Sequence, residues 1–547
     1  MSTDAAPVHL TPVSAPPIAA ARVAFVGAGP GDPGLLTVRA RDYLAVADVV
    51  VVDAAHREED LRPLISEDTQ VVRTVRGEEG PALTPAARSK LLVRTASAFD
   101  DPTHLVVRLL VDEVSAGSLV DEARACHDAG VSFEIVPGVS AAWAVPAYAG
   151  MLPDGQRGQV HVVDAADNGV DWSHSVAEDI TVVVRGTPGR LQRALQQLLQ
   201  AGRPGESPLA LTAHGTTTTQ QTLVTTLQEL LDNSSDLEED AVAVVGRPVE
   251  LRAELSWWES KPLFGWSILV PRTKEQSGPM TDRIAGYGAS ASVVPTISVE
   301  PPRTPQQMDR AVKGLVTGRY EWIGFTSVNA VRAVREKFEA LGLDARAFAG
   351  LKLAAVGGVT AEALREWGLE PDLVPDGEQS ARGLLESWPP FDEVLDPINR
   401  VFLPRADIAT DTLVAGLEAM GWEVDDVTAY RTVRAAPPAA PVREAIKGGA
   451  FDAVCFTSSS TVRNLVGIAG KPHPTTIVAC IGPATAKAAE EHGLRVDVVA
   501  PEPSAASLVD ALAEHTRGLM AEAQAQGEEF VRPSRRKPAP RRARSRR

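Results

Sequence analysis

The sequence predicts an α/β protein of several domains whose sheets are largely parallel, and three observations support this class. Apolar β-branched runs alternate with helix-like segments rich in Ala, Leu, Arg and Glu along nearly the whole chain. The length of 547 residues is too great for one ordinary core, so we expect two to four domains. The composition, 44% hydrophobic and 23% charged residues, is that of an ordinary globular protein.

The first half of the chain carries seven strand candidates before an aromatic break. The break is WWESKPLFGW (257–266), in which Pro262 and Gly265 interrupt regular structure, so it predicts a rigid linker. The strands are predicted at Val23–Val26, Val49–Val52, His104–Leu109, Phe133–Val136, Val160–Val163, Thr181–Val184 and Ala241–Val245.

The most conspicuous motif is VAFVGAGPGDPGLLTV (23–38), an apolar strand that leads into a turn of glycines and prolines and then a helix start. Such a turn brings backbone amides close to a small-molecule cofactor. The motif is not a dinucleotide fingerprint, because GxGxxG would require glycine where Asp32 stands. The candidate cofactor-binding residues are Gly27, Gly29, Pro30, Gly31 and Asp32.

The second half contains an internal repeat. WIGFTSVNAVRAV (322–334) matches AVCFTSSSTVRNL (453–465), and LAAVGGVTAEALREWGLEPDLVP (353–375) matches VACIGPATAKAAEEHGLRVDVVA (478–500). ILVPRTKEQSGPMTDRIAGYGASASVVPTISV (268–299) resembles VFLPRADIATDTLVAGLEAMGWEVDDVTAYRTV (401–433). Each unit reads as strand, polar turn and helix, which predicts two similar α/β lobes that face each other. We expect lobe 1 at about 267–299 plus 434–517 and lobe 2 at about 303–433.

Six polar turns fall at the predicted carboxyl ends of strands, where α/β sheets bind their ligands. A Ser or Thr at such a position can serve only as a helix N-cap, worth about 1 kcal/mol, and this alternative stays open for each residue alone. As a set, however, hydroxyls, helix N-terminal amides and two arginines favour a ligand with many carboxylates. The candidate binding residues are Arg272, Thr326, Ser327, Gly357, Thr360, Arg405, Thr457, Ser458, Ser459, Gly482 and Thr485.

Common catalytic chemistry is missing from this predicted cleft. The sequence shows no Ser-His-Asp arrangement, no metal-ligand cluster and no cysteine with a helpful neighbour, so we expect no metal. Tyr430 is one of only five tyrosines and lies in DVTAYRTV, where the chain crosses between the repeats. Its phenol could donate a proton to a leaving group, or the ring could pack as a hinge aromatic.

Charge and cysteine content indicate the compartment and the class of partner. The net charge of the chain is −17. The segment from Arg532 holds nine Lys and Arg and no acid, so the rest of the chain carries a net charge of −17 − 9 = −26. We expect residues 1–21 and the basic tail at 518–547 to be disordered, and the acidic body argues against specific nucleic-acid binding.

No apolar run approaches the roughly 18 residues of a membrane span. Three separated cysteines fit a reducing cytoplasm.

The region from about Trp266 to Arg517 resembles uroporphyrinogen-III synthase through LVPRT, FTSVNAV, LPRA, AYRT, CFTSSSTV and CIGPATAKAAEEHGL in this order. The resemblance implies a cofactor-free lyase domain at 262–517 that cyclises hydroxymethylbilane to uroporphyrinogen III with inversion of ring D. This substrate is an open-chain tetrapyrrole with eight carboxylates, which Arg272, Arg405 and the amide-rich turns would meet. Tyr430 matches the family's hinge tyrosine, which assists departure of the ring-A hydroxyl, and Thr485 matches a position near the substrate.

The region from about Arg22 to Gly265 resembles uroporphyrinogen-III C-methyltransferase, an enzyme that uses S-adenosylmethionine. The similarity is carried by VAFVGAGPGDPGLLTVRARDYLAVADVVVVD, VPGVSAAWAVPAYAG (136–150), HGTTTTQQTLVTTLQEL (214–230) and VAVVGRPVELRAELSWWESKPLFG (242–265). The resemblance implies a methylase-like domain at 22–261 and, because the family's enzymes are typically homodimers, a homodimer.

The sequence departs from the methyltransferase family where the cofactor would bind. Val111, Asp112, Glu113 and Val114 replace a GGDP turn, and β-branched valine resists the positive φ and the close approach that glycine allows. Arg185 in VVRG (183–186) replaces a methionine, and LPDGQRGQVHVVDAAD (152–167) replaces a TSR…TGH region. We therefore expect S-adenosylmethionine binding to be weak or lost and the domain to serve as a scaffold.

Two other functions stay open at this point. One is a bifunctional enzyme that also methylates uroporphyrinogen III at C2 and C7. The other is a non-catalytic protein that binds or senses tetrapyrroles.

Overall fold

The computed structural model describes residues 23–53, 64–66, 68–75, 82–99, 103–110, 116–153, 158–233 and 241–536. The chain divides into two compact units. The first unit extends to Trp266 and includes Ala285–Ser290, and the second comprises Ser267–Ile284 and the chain from Ala291 onward. Both units are α/β, as the sequence predicts, and the predicted leader at 1–21 lies outside the described residues.

The first unit contains two five-stranded sheets. One has the order β3-β2-β4-β1-β5 and is parallel throughout. The other has the order β6-β7-β10-β8-β9 and is mixed, because β10 runs antiparallel to both of its neighbours. The strands are β1 Val23–Gly27, β2 Val49–Val52, β3 Gln70–Arg73, β4 Val106–Leu110, β5 Phe133–Val136, β6 Val160–Asp164, β7 Thr181–Gly186, β8 Pro208–Ala213, β9 Gln221–Thr226 and β10 Ala241–Val245.

All seven predicted strands of this unit are present, whereas β3, β8 and β9 were not predicted. Every residue of β1, β2 and β4 is buried, because helices cover a parallel sheet on both faces and its central strands can be continuously apolar. β9 reads QTLVTT and is partly exposed, so it lacks the apolar run that predicts a buried strand.

The second unit also contains two five-stranded sheets, and these confirm the internal repeat. Their orders are β12-β11-β18-β19-β20 and β13-β17-β16-β14-β15. The repeated sequence segments form equivalent strands in the two sheets. β11, β18 and β19 are neighbours in one sheet, and their repeat counterparts β16, β14 and β15 are neighbours in the same order in the other. The strands are β11 Ser267–Val270, β12 Ser290–Val293, β13 Ile297–Glu300, β14 Trp322–Phe325, β15 Lys352–Ala355, β16 Arg400–Ala406, β17 Glu423–Arg434, β18 Ala453–Phe456, β19 Ile477–Cys480 and β20 Val498–Val499.

The division between the lobes differs slightly from the prediction. β13 pairs antiparallel with the end of β17, with Ile297 opposite Arg434 and Glu300 opposite Arg431. Residues 297–299 were predicted in lobe 1 but therefore belong to the sheet of lobe 2. We call the β11-containing sheet with its helices lobe 1 and the β14-containing sheet with its helices lobe 2.

The helices connect these strands, and several begin at a Ser or Thr whose side chain accepts a backbone N–H, which satisfies one of the free donors at the helix start. In chain order the helices are Val38–Val46, Pro85–Ser97, Ala116–Asp128, Ala141–Tyr148, Pro188–Gln200, Leu227–Asp232, Pro248–Leu255, Lys274–Gly286, Pro305–Val316, Val328–Ala340, Gly358–Glu366, Ala381–Ser387, Thr412–Ala419, Ala440–Gly448, Ser459–Ala469, Pro483–Glu491 and Ala505–Ala525.

The aromatic segment predicted as a linker is packed into the first unit instead. Trp258, Leu263 and Trp266 are buried, and the indole N–H of Trp258 donates to the carbonyl of Thr217 at 2.9 Å. The unit therefore ends after Trp266 rather than after residue 261.

The basic tail also begins later than predicted. The helix Ala505–Ala525 passes the expected boundary at 517, although its buried residues, which pack on lobe 1, all lie before that boundary. Pro533 is buried as well, and the Ser534 N–H donates to the Asp452 carboxylate at 2.8 Å. The prediction of disorder from 518 is thus wrong up to residue 536, and 537–547 lie outside the described residues.

Candidate functional site

The six polar turns of the second unit lie at the carboxyl ends of its strands, as the repeat predicts. Lobe 1 places Arg272 after β11, Thr457, Ser458 and Ser459 after β18, and Gly482 after β19. Lobe 2 places Thr326 and Ser327 after β14, Gly357 after β15 and Arg405 near the end of β16.

Tyr430 and Ser327 come together in lobe 2. Tyr430 lies in β17 and is 7% exposed, and its phenol oxygen is 2.9 Å from the Ser327 hydroxyl oxygen. Ser327 is the N-cap of the helix Val328–Ala340 and accepts the Ala330 N–H at 3.1 Å. The phenol is therefore bonded to the residue that caps the N-terminus of this helix.

Tyr430 also forms part of the wall of a pocket of about 620 Å³. Thr273, which directly follows Arg272, lines the same pocket. Helices contribute Met308, Asn329 and Arg332. The volume falls within the roughly 300–1,000 Å³ of small-molecule sites, so the pocket can hold part of a large ligand beside the phenol.

Arg272 is half-buried and carries a free charge. Among the side chains that the structure describes, which do not include those of 274–276, no carboxylate lies within ion-pair distance of its guanidinium. Burial lowers the pKa of Arg272. A partly buried cation without a partner gains by binding an anion, so this position suits a carboxylate ligand.

Arg405, its counterpart in the repeat, is only 7% exposed and is fully engaged within the protein. Its guanidinium forms a bidentate pair with Asp426, donates to the Thr410 carbonyl at 2.6 Å and contacts Asp411 at 3.3 Å. The hydrogen-bonded Asp426 carboxylate raises the pKa of Arg405. Its role as a substrate ligand stays a prediction. In the structure, Arg405 links β16 to Asp426 of β17 and to the Thr410 carbonyl.

The lobe 1 turns are linked to each other. Ser458 forms a capping box with Thr461, and the Ser459 hydroxyl donates to the Ala484 carbonyl at 2.9 Å. A Cβ placed on Gly482 would meet nothing within 4 Å, so the space around this helix start is open.

The equivalent helix start of lobe 2 is covered. A Cβ on Gly357 would lie 2.5 Å from the Gln379 amide oxygen, which also accepts the Gly358 N–H at 3.2 Å. The remaining predicted residues divide by burial: Thr360 and Thr485 are buried, while Thr326 and Thr457 are partly exposed.

In the first unit, the glycine-rich turn after β1 packs against the segment 214–217. Gly29 has φ +69°, and a Cβ on Gly31 would lie 2.6 Å from the Gly215 carbonyl oxygen, so glycine is required at both positions. The Asp32 N–H donates to the Thr216 hydroxyl at 2.9 Å. Thr216 has φ +66°, which is strained for a β-branched residue.

The Asp32 carboxylate is engaged as well. One oxygen accepts the Gly34 N–H at 2.8 Å and the other accepts the Tyr148 hydroxyl at 2.7 Å, and this bond and burial raise the pKa of Tyr148. The amide and both carboxylate oxygens of Asp32 thus serve the fold, and the predicted residues Gly27 and Pro30 stand in the same turn.

Arg185, which replaces a methionine of the methyltransferase family, pairs with Asp164 at 3.2 Å. The second substitution, Val111–Val114, lies outside the described residues. Arg185 and the Asp32 carboxylate are thus both engaged within the domain, while Gly31, Asp32 and Tyr148 also line a pocket of about 430 Å³.

The described residues were also compared with the requirements of a metal site, a reactive cysteine and a membrane-spanning helix. No cluster of three or more His, Cys, Asp or Glu is arranged to hold a metal ion there. Cys126, Cys455 and Cys480 are buried free thiols, and burial raises the pKa of the latter two to about 12. In the same part of the chain, no helix combines the length and apolarity needed to cross a membrane.

Three groups of residues were missed from the sequence. Asp426 holds Arg405, Gln379 covers Gly357, and Asn329 with Arg332 line the pocket beside Tyr430. Asn329 and Arg332 are three residues apart on a helix, a spacing that places them on one face and was readable in FTSVNAVRAV. The partners Asp426 and Gln379 carry no comparable local signal.

Comparison with known proteins identifies both units. The family model for uroporphyrinogen-III synthase HemD matches residues 279–510, and the model for tetrapyrrole (corrin/porphyrin) methylases matches residues 22–231. The porphyrin biosynthesis protein HemD of Ruminiclostridium josui is 31% identical over 507 residues, which cover 90% of this chain and 97% of that protein.

Two further relatives are methyltransferases by name. The uroporphyrinogen-III C-methyltransferase of Bacillus subtilis (strain 168) is 29% identical over 372 residues, covering 65% of this chain and 74% of that protein. The crystal structure of uroporphyrin-III C-methyltransferase from Thermus thermophilus complexed with S-adenosyl homocysteine is 27% identical, covers 42% of this chain and 99% of that chain, and has a TM-score of 0.35. The chain therefore belongs to the HemD family of porphyrin biosynthesis proteins, and a tetrapyrrole methylase domain precedes its uroporphyrinogen-III synthase domain.

Proposed function

We propose that the second unit cyclises hydroxymethylbilane to uroporphyrinogen III, with inversion of ring D and without a cofactor. The observation that carries the proposal is the Tyr430 phenol, which is bonded to a helix N-cap serine and lines a pocket of about 620 Å³. Membership of the HemD family supports the same reaction.

The first chemical step breaks a carbon–oxygen bond. The Tyr430 hydroxyl donates its proton to the hydroxyl of ring A, which leaves as water, and the pyrrole nitrogen's electron pair completes an azafulvene cation. The phenolate that remains is stabilised by the Ser327 hydroxyl and by the N-terminus of the helix Val328–Ala340. The substituted carbon of ring D then attacks the cation to give a spiro intermediate. The bond from that carbon to the methylene of ring C breaks, which leaves a second azafulvene cation on ring C, and the free α-carbon of ring D attacks this cation to close the inverted macrocycle. Loss of the ring proton restores the aromatic pyrrole, and the phenolate regains a proton.

The second task is to hold the chain folded so that ring D attacks through its substituted carbon. This is a positioning problem, since unaided closure joins the ends without inversion. Arg272 has no carboxylate partner among the described side chains and is a cation available to hold a substrate carboxylate. The open helix start at Gly482 offers backbone N–H donors on the same lobe.

Replacement of the phenol by a phenyl ring tests the proposal. Tyr430→Phe removes the proton donor, and we expect kcat for uroporphyrinogen III to fall roughly 100-fold. Tyr320→Phe is the matched control, because Tyr320 is another buried tyrosine of lobe 2 whose hydroxyl bonds Asp425 at 2.6 Å outside the pocket wall. A fully active Tyr430→Phe enzyme would reduce Tyr430 to a hinge aromatic.

We propose that the first unit is a scaffold with weak or no affinity for S-adenosylmethionine. The supporting observations are Arg185 bound to Asp164 and the engaged groups of Asp32. The competing proposal is a bifunctional enzyme, which the name of the Bacillus subtilis relative favours. Calorimetric titration of the full chain with S-adenosylmethionine tests the scaffold proposal: clear micromolar binding would overturn it. A homodimer stays a prediction that analytical ultracentrifugation can test.

A further inference from the structure

Two polar side chains on the wall of the Tyr430 pocket have no partner in the protein. Asn329 and Arg332 lie in the helix Val328–Ala340, three residues apart and therefore on one face. Both line the pocket that Tyr430 lines. Within the described chain neither side chain has a hydrogen bond or an ion pair.

Of the four charged side chains that line this pocket, two are paired within the protein. Lys337 pairs with Asp309 at 2.7 Å, and Glu300 pairs with Arg431 at 2.6 Å. Glu336, which lines the same pocket one helical turn beyond Arg332, has no ion-pair partner among the described residues, as Arg332 has none. The free charges are therefore ordered along the helix, with the cation nearer to Tyr430 and the anion farther away.

We propose that Arg332, together with the Asn329 amide, binds a carboxylate of the pyrrole ring whose hydroxyl Tyr430 protonates. This inference rests on the proposed synthase function. The helix rises about 1.5 Å per residue, so the Arg332 Cα lies about 7.5 Å along the axis from Ser327, to which the Tyr430 hydroxyl is bonded. A flexible arginine side chain can span that separation to a carboxylate on the same ring.

The arrangement also selects one orientation of the ring. Each of the four pyrrole rings carries two of the eight carboxylates, so a ring with its hydroxyl at Tyr430 places at least one carboxylate nearby. A guanidinium binds that carboxylate through charge-assisted hydrogen bonds, and the Asn329 amide adds a further donor. Glu336 repels a carboxylate that extends farther along the helix, so it disfavours a ring bound too far from Tyr430.

The test compares two arginines of the same helix. Arg332→Ala should raise KM about tenfold and change kcat little, because the lost contact is made in the bound substrate as well as in the transition state. Arg332→Lys keeps the charge and should recover part of the affinity. The control is Arg335→Ala, since Arg335 is exposed on that helix, as Arg332 is, but pairs with Glu339 at 3.1 Å and does not line the pocket.

A binding measurement provides a readout that does not depend on turnover. Uroporphyrin III, a stable octacarboxylate, should bind the Arg332→Ala full chain about tenfold more weakly than the wild type, by quenching of tryptophan fluorescence. Arg335→Ala should bind as the wild type does, and equal thermal unfolding of both variants excludes misfolding.

The outcomes distinguish a failure of the proposed synthase function from a failure of the Arg332 inference. If the wild type yields only the type I isomer, the synthase function fails. If the wild type yields the type III isomer and Arg332→Ala matches Arg335→Ala in both KM and uroporphyrin affinity, the Arg332 inference alone is overturned.

Discussion

The two lobes of the synthase domain use the same sequence motif for different purposes. Arg272 and Arg405 each follow a proline at the end of an apolar strand, in LVPRT and LPRA. Arg405 is almost fully buried and is held by Asp426, Asp411 and the Thr410 carbonyl. Arg272 is half-buried and has no ion-pair partner in the described chain.

The difference extends beyond the arginines. In lobe 2 the helix start at Gly358 is covered by Gln379, and the N-cap Ser327 is bonded to Tyr430. In lobe 1 the helix start at Gly482 is open, and the N-cap Ser458 bonds only within its own turn. At these matched positions, lobe 1 therefore has an arginine and a helix start open to a ligand, whereas in lobe 2 the equivalent arginine and helix start are engaged within the protein.

The largest expected effect is on stability, from loss of the internally held arginine. Arg405→Met removes every donor that holds Asp426 and the Thr410 carbonyl, and should lower the free energy of unfolding by about 2 kcal/mol. Differential scanning calorimetry of the full chain measures this. Arg400→Met is the control, because Arg400 also joins β16 to β17 through Glu423 but at an exposed site, where such pairs contribute about 0–1 kcal/mol. Equal losses in both variants would show that Arg405 has no special structural role.

The next effect is on substrate affinity, from loss of the free arginine. Arg272→Met should lower kcat/KM about tenfold through a higher KM, because a charge-assisted contact to a carboxylate is lost. Its unfolding free energy should change by less than about 0.5 kcal/mol, since no partner is left unpaired. Steady-state kinetics beside calorimetry checks both halves. Normal kinetics in Arg272→Met would contradict the assignment of substrate binding to lobe 1.

The smallest effect separates the two N-cap serines. Ser327→Ala and Ser458→Ala should each cost about 1 kcal/mol of stability, because each removes a helix cap. Only Ser327→Ala should also lower kcat, by about threefold to tenfold, since it removes one neutral hydrogen bond to the Tyr430 oxygen. Equal kcat values in the two variants would mean that the bond to Tyr430 is incidental.

Much of the fold could be predicted from the sequence because local patterns carry it. Apolar runs predicted the buried strands such as Val49–Val52, and the repeat predicted two similar α/β lobes. β9 was missed because QTLVTT is partly exposed and mostly polar. The end of the synthase domain was placed too early, because burial of Pro533 and the bond from Ser534 to Asp452 depend on contacts distant in the chain.

The candidate site was predictable in its positions but not in its partners. The polar turns lie where strand ends predict them, and Tyr430 lies on a pocket wall. The sequence treated Arg272 and Arg405 alike, because pairing of Arg405 with Asp426 requires the register between β16 and β17. The glycine-rich turn after β1 was read as a cofactor cradle, yet close packing against Gly215 is by itself a sufficient reason for Gly31.

The most direct test of the account is product analysis of the purified full chain with hydroxymethylbilane, with and without S-adenosylmethionine. The account predicts mainly the type III isomer under both conditions, with no increase in product mass from methylation. The type I isomer alone, equal to the product of unaided closure, would contradict the synthase function.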